Sequence, residues 1–226
     1  YAGTFDPTAV LEIATSDDHN LSFTNVTSLL KFQVPAACKT VTISSDNVLA
    51  GSNAKTVTVN GSFEAGKTYY AAVLPGTKAN FVVRIDGYLS KNAGSVIIDE
   101  STIANMKTLP APVASDVKVK INSISHTTYI EGNYSVLRNI SIASGDTYKI
   151  VSGSNEVRGV AEKTPLKSWC YLYNSSGNMK GLNGIYDIYI DKTKSSLCIV
   201  NEGEVVPQYI DANKTLYFMY QNKDWQ

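Results

Sequence analysis

The 226 residues suffice for one large all-β domain or two domains of roughly 100 residues, either able to bury a core without disulfide staples. Twenty basic and twenty acidic residues leave no net charge and no block of one sign, which argues against a nucleic-acid footprint, where clustered Lys and Arg must neutralise phosphates. No apolar run approaches the roughly 20 residues of a spanning helix and no signal peptide is present. The start "YAGTFDP", without methionine, points to a processed or trimmed chain, so membrane attachment is expected only through an anchor outside it.

In chain order, short runs of period two predict strands. "SLLKFQV" puts Leu30, Phe32 and Val34 on one face, "TVTIS" does so with Val41 and Ile43, and "KTVTVNG" with Val57 and Val59. "FEAGKTYYAAVLPGT" (residues 63–77) follows. Gly66 and Gly76 permit the turns into and out of it. Tyr69, Ala71 and Val73 alternate with Tyr70, Ala72 and Leu74, so both faces are apolar, as in a central strand covered on each side. Pro75 ends its ladder for want of an N–H. "NFVVRID" turns Phe81, Val83 and Ile85 inward and Arg84 outward, and "GSVIIDES" reads as the last strand of this set. Strands recurring about every dozen residues predict an antiparallel sandwich or barrel, not a βαβ fold.

"MKTLPAPVASD" then interrupts. Pro110 and Pro112 lack the N–H of a central strand and favour extended polyproline geometry. A boundary near residue 112 follows, giving domains 1–112 and 113–226, with an ordinary loop inside one sandwich as the alternative. "DVKVKINSI" restarts the alternation, with Val117, Val119 and Ile121 facing one way and Lys118 and Lys120 the other. "NGIYDIYIDKTKSSLCIVNEG" predicts a hairpin in which Tyr186, Ile188 and Ile190 alternate with Asp187 and Tyr189, and Leu197 and Ile199 return. "KTLYFMYQ" is a final strand. Ten of the fourteen tyrosines and both tryptophans lie beyond residue 112, so the halves differ in chemistry.

Catalytic patterns are sparse. His19 and His126 lie far apart without metal-ligand spacing, and neither a nucleophile elbow nor a phosphate loop is present. Glu202 with Glu204, and Asp99 with Glu100, form carboxylate pairs of the kind glycosidases use, but both sit at turn-like strand ends where acids are ordinarily solvated. The reading is therefore non-enzymatic, with no cofactor and no metal. Cys38, Cys170 and Cys198 make no framework; a Cys170–Cys198 bridge and three small core residues both fit. "SWCYLYNSSGN" places Trp169, Tyr171 and Tyr173 at period two, and "GIYDIY" adds Tyr186 or Tyr189. Such a stripe is either a core seam or an exposed platform on which sugar rings stack, since aromatic rings serve both.

"LSFTNVTSLLKFQVP" (21–35), "VTISSDNVLAG" (41–51), "FEAGKTYYAAVLPGT" (63–77), "FVVRIDG" (81–87) and "SVIIDESTIANMKTLP" (95–110) follow one another in an order and spacing that resembles the fimbrillin-like proteins of Bacteroides-type bacteria. That family comprises fimbrial shaft, tip and anchor subunits. The resemblance covers roughly residues 20–110 and implies a transthyretin-like β-sandwich, lipoprotein export, an outer-membrane surface location, and assembly or adhesion with other fimbrial subunits or surface proteins. The second half has no quotable match to a fimbrillin C-terminal domain. Its "GLNGIYDIYIDKTKSSLCIV" is similar to the closing hairpin of small outer-membrane starch-binding lipoprotein domains, in which aromatic residues hold the glycan.

The expectation is thus an exported protein of two antiparallel β-sandwich domains, a fimbrial subunit or adhesin-type component whose sheet edges take up a partner strand. The alternative is a glycan-binding surface lipoprotein that uses Trp169, Tyr171, Tyr173 and Tyr189.

Overall fold

The computed structural model describes residues 12–15, 22–143, 147–152, 155–160, 170–174, 184–191 and 215–220. The fold is all-β: every regular element among the described residues is a strand. Two compact units divide the chain, Tyr1–Pro112 and Val113–Gln226.

In the first unit the strands are β1 (Glu12–Thr15), β2 (Ser22–Asn25), β3 (Ser28–Gln33), β4 (Cys38–Ser44), β5 (Thr56–Phe63), β6 (Thr68–Val73), β7 (Gly76–Ala79), β8 (Val82–Ile85), β9 (Tyr88–Asn92), β10 (Ser95–Ile98) and β11 (Ile103–Thr108). They form a three-stranded sheet β11-β3-β6, a four-stranded sheet β5-β4-β8-β9, and the two-stranded pairs β1-β2 and β10-β7. The alternating residues of both larger sheets meet in one core: Leu30, Phe32 and Val34 with Val41, Ile43, Val83 and Ile85, all buried. Each such side chain contributes about 1.5–3 kcal/mol relative to exposure. Asp86 and Gly87, with φ of 47° and 84°, make the tight turn between β8 and β9 that matches the right-handed twist of paired strands.

Two details differ from the sequence expectation. "GSVIIDES" is not the last strand, because β11 follows and pairs in parallel with β3. Its sequence, IANMKT, has no clean alternation, and its partner lies far back in the chain, so neither period nor proximity marks it. The strand buried on both faces is β3, with Ser28, Leu29 and Leu30 all buried. By contrast, β6 is an edge: Tyr69, Ala71 and Val73 enter the core, while Tyr70 and Ala72 are half-buried. Apolar residues on both faces of "TYYAAV" reflect partial cover rather than a central position.

The second unit carries β12 (Ala114–Ile121), β13 (Ile124–Glu131), β14 (Tyr134–Ile142), β15 (Thr147–Ser152), β16 (Asn155–Val160), β17 (Cys170–Asn174), β18 (Gly184–Asp191) and β19 (Thr215–Tyr220). Their pairing runs full circle in the order β12-β13-β14-β18-β19-β17-β16-β15, a closed barrel in which β16/β17 and β18/β19 pair in parallel. Closure removes free sheet edges. Asn122 and Ser123, with φ of 47° and 72°, form the two-residue β12–β13 turn. Val117, Val119 and Ile121 are buried, while Lys118 is exposed and Lys120 half-buried, as the alternation of "DVKVKI" predicts. Thr128 Oγ1 donates to the Val117 carbonyl at 2.6 Å, and the Ser115 and Ser135 hydroxyls meet at 2.6 Å. The return strand expected around Leu197 and Ile199 lies outside the described residues; β18 pairs with β14 and β19.

Candidate functional site

The first unit presents two kinds of sheet edge. On β9, the ladder shifts register between Val83 and Arg84 and the strand carries Lys91. On β11, the ladder shifts between Asn105 and Thr108 and the strand carries Lys107. The Ser90 hydroxyl donates to the Pro110 carbonyl at 2.7 Å, tying β9 to the segment after β11. Bulges and lysines are the usual devices that stop an edge from pairing with a stranger.

The opposite edges, β5 and β6, lack the lysines. Neither TVTVNGSF nor TYYAAV contains a charged residue or a proline. The one register shift on β5 falls near its end, and Thr56–Asn60 runs in regular register on β4. Between them lies a groove of about 200 Å3 lined by Val59–Phe63, Glu64, Tyr69 and Tyr70. Its aromatic base is well fixed. The Phe63 and Tyr69 rings meet edge to face at 4.7 Å, and Phe32 lies 6.3 Å and 6.1 Å from them. The Glu64 N–H donates to the Tyr69 hydroxyl at 2.7 Å, closing the turn that carries the chain from one sheet to the other. Nothing lining this groove is a nucleophile poised beside a base. It offers apolar surface beside two strands that are terminal in their sheets among the described residues, the setting in which an extended segment is received.

A second cluster, which sequence reasoning missed, lies in the barrel. In β14 (YSVLRNISI) the register passes from Leu137 opposite Ile188 to Ile140 opposite Tyr186, so Arg138 and Asn139 together face Asp187. The Asp187 carboxylate accepts from the Asn139 N–H and from Arg138 Nη1, each at 2.9 Å, and Arg138 Nη2 donates to Glu131 at 2.7 Å. The guanidinium also lies 5.5 Å from the centre of the Tyr189 ring, which Tyr134 meets edge-on at 5.7 Å. Burial pushes the Arg138 pKa down, but Tyr189, Glu131 and Asp187 outweigh it and hold the group above its ordinary range. The arrangement locks a bulge and presents no open face to a substrate. The signal that marks it is a charged residue in the middle of each of two apolar strands, which demands a countercharge nearby.

Of the aromatic residues proposed from sequence, Trp169 lies outside the described residues. Tyr171 and Tyr173 stand on β17, where the backbone is described and the side chains are not. Tyr173 pairs in register with Tyr217 of β19, and Tyr217 with Tyr189 of β18, so the backbone does set three tyrosines in one lateral row. Tyr189, however, is fully buried under Arg138 and Tyr134, which corrects its place in an exposed platform: that ring packs, and no sugar reaches it. Asp99 and Glu100 are exposed in the turn before β11; His126 is half-buried on β13; His19, Cys198, Glu202 and Glu204 lie outside the described residues. Among the described residues no group of three or more His, Cys, Asp and Glu gathers as a metal site. Cys38 is buried, and burial, with Asp86 nearby, pushes its thiol up to about 11, so it is protonated at neutral pH.

No protein-family model, curated protein or solved structure matches the chain.

Proposed function

We propose that this chain is a non-enzymatic assembly component of a bacterial surface, a fimbrial subunit or adhesin-type protein, whose first unit takes up an extended strand from a second copy or a related subunit along β5 and β6. The observation that carries this reading is the asymmetry of the edges: β9 and β11 are bulged and lysine-bearing, and β9 is tied to the segment after β11, whereas β5 and β6 are uncharged and flank an aromatic-based groove. Main-chain hydrogen bonds supply affinity in such a contact, and alternate side chains entering the groove supply selection. The order and spacing of the first-half segments, which resemble fimbrillin-like proteins, support the same reading and with it a transthyretin-like first unit, export and attachment through an anchor outside this chain.

The test is self-association measured by light scattering over a concentration series, with lysines placed on the unguarded edges. Oligomers that disappear in Thr58→Lys/Ala72→Lys and persist in Ser90→Ala are expected. A chain that stays monomeric at every concentration, or oligomers indifferent to both edge lysines, overturns the reading.

A further inference from the structure

In the barrel, β12, β15 and β16 carry basic residues at neighbouring register positions. Lys120 pairs in register with Lys149, and Lys149 with Arg158. Lys118 stands two residues along β12 from Lys120, in a neighbouring row that continues through Val151 to Glu156. Four basic positions thus fall on three adjacent strands, with Glu156 the single acid in the two rows. Successive strands lie about 4.8 Å apart, so the Lys120–Lys149–Arg158 row runs about 10 Å across three strands. Like charges directly opposite one another across a ladder destabilise it. Lys118 and Lys120 have no hydrogen-bond or ion-pair partner among the described residues to offset that cost. In a chain with no net charge, concentrating cations here is unfavourable unless an anion neutralises them.

We propose that this face of the barrel binds a linear anionic glycan, one bearing carboxylate or sulfate groups along its length. One flank of the rows fits sugars. On β13, the register partners of Lys120 and Lys118 are Ser125 and Thr127, both exposed hydroxyl residues. A duplex nucleic acid fits less well, because a neutral chain supplies no long-range field to attract so dense a polyanion. A membrane surface fits less well too, because the rows hold one apolar residue, Val151, and no cluster able to enter lipid. The site is separate from the β5–β6 groove, and its occupancy does not depend on strand exchange.

The experiment is calorimetric titration of the full chain, at low and at raised salt, with a sulfated hexasaccharide and an oligogalacturonate. Maltohexaose, a duplex DNA oligonucleotide and phosphatidylserine vesicles serve as comparisons. Binding of at least one anionic glycan, weakened by salt, is expected, with maltohexaose inert. Lys118→Glu/Lys120→Glu lowers the affinity by about tenfold or more, as the loss of charge-assisted contacts requires. Lys118→Gln/Lys149→Gln, which leaves half-buried Lys120 untouched, lowers it in the same direction and serves if the first variant does not fold by circular dichroism. Lys67→Gln, on the first unit, leaves it unchanged. The proposal is overturned by an absence of binding to both anionic glycans at low salt, by affinity unaltered in folded row variants, or by DNA or vesicles binding as tightly as the glycans.

Discussion

Both units bury a cation, and they do so in opposite ways. In the first, Lys78 is 3 % exposed, and its ammonium donates to the carbonyls of Val48 at 2.7 Å and Pro75 at 2.9 Å, with no carboxylate bonded to it among the described residues. In the second, the Arg138 side chain is 11 % exposed between two carboxylates. Dipoles alone do not replace the lost hydration of Lys78, and burial lowers its pKa. Opposite charges do more than replace it for Arg138, whose pKa rises. Cys38 follows the first pattern: burial, with Asp86 nearby, moves its thiol toward the neutral form. The first unit tolerates ionisable groups in its core by weakening their charge, whereas the second fixes charge by pairing it.

This contrast is broken most severely at Arg138. Arg138→Met leaves Glu131 buried and Asp187 partly so without a countercharge, and removing one partner of such a network costs about 3–5 kcal/mol. The expected result is a large loss in denaturant midpoint, confined to the transition of the second unit. Loss below about 1 kcal/mol, the range of exposed pairs, would show that the triad is solvated and the contrast false. Asp187→Asn is the milder cut. The amide retains an acceptor for the Asn139 N–H but not a full charge for Arg138, so about 1–3 kcal/mol is expected. The Arg138→Met/Asp187→Asn double variant then costs less than the sum of the two singles, since the residues share one network.

Cys38 sharpens the other side. With its thiol pushed up to about 11, alkylation in the native state is slow at about pH 9 and quickens only as the pH nears that value or as denaturant opens the core. Site-resolved mass spectrometry after iodoacetamide treatment distinguishes Cys38 from Cys170 and Cys198. Rapid native labelling of Cys38 at neutral pH would refute the neutral-core account.

The same physics explains what the sequence reveals. Period two finds the strands whose one face is buried, so Leu30, Phe32, Val34, Val41, Ile43, Val83 and Ile85 are legible as core, as are Val117, Val119 and Ile121. It carries no information about which strands become neighbours. The parallel joining of β11 to β3 and the long-range closure of β12 on β15 therefore stay hidden, as does the edge position of β6. Tyr189 shows the limit for the site. Alternation assigns it to the face opposite Ile188 and Ile190, but cannot say that Arg138 and Tyr134 cover that face. The basic rows are half legible: Lys118 and Lys120 declare themselves as an outward pair, while Lys149 and Arg158 join them only through register.

The smallest expected effect is at Lys78, and its sign is what matters. Lys78→Met removes a poorly solvated ammonium but also two hydrogen bonds to carbonyls, so the stability at neutral pH changes by no more than about 1 kcal/mol. The difference from wild type then depends on pH. Well below the folded-state pKa of Lys78, both folded and unfolded chains hold the proton, and the burial penalty is constant. Between that lowered value and the ordinary 10.5, the folded state releases its proton first, the unfolded state binds more protons, and wild-type stability rises with pH. Above 10.5 both states are neutral and the gain is complete. Lys78→Met lacks this gain, so subtracting its stability curve from that of wild type isolates Lys78 from the tyrosines that titrate nearby. A difference that grows in favour of wild type as pH rises into that window supports a cation held by dipoles alone. A difference that is flat, or that falls with pH, would mean that Lys78 is stabilised as an ammonium like Arg138, and the distinction between the two units would be lost.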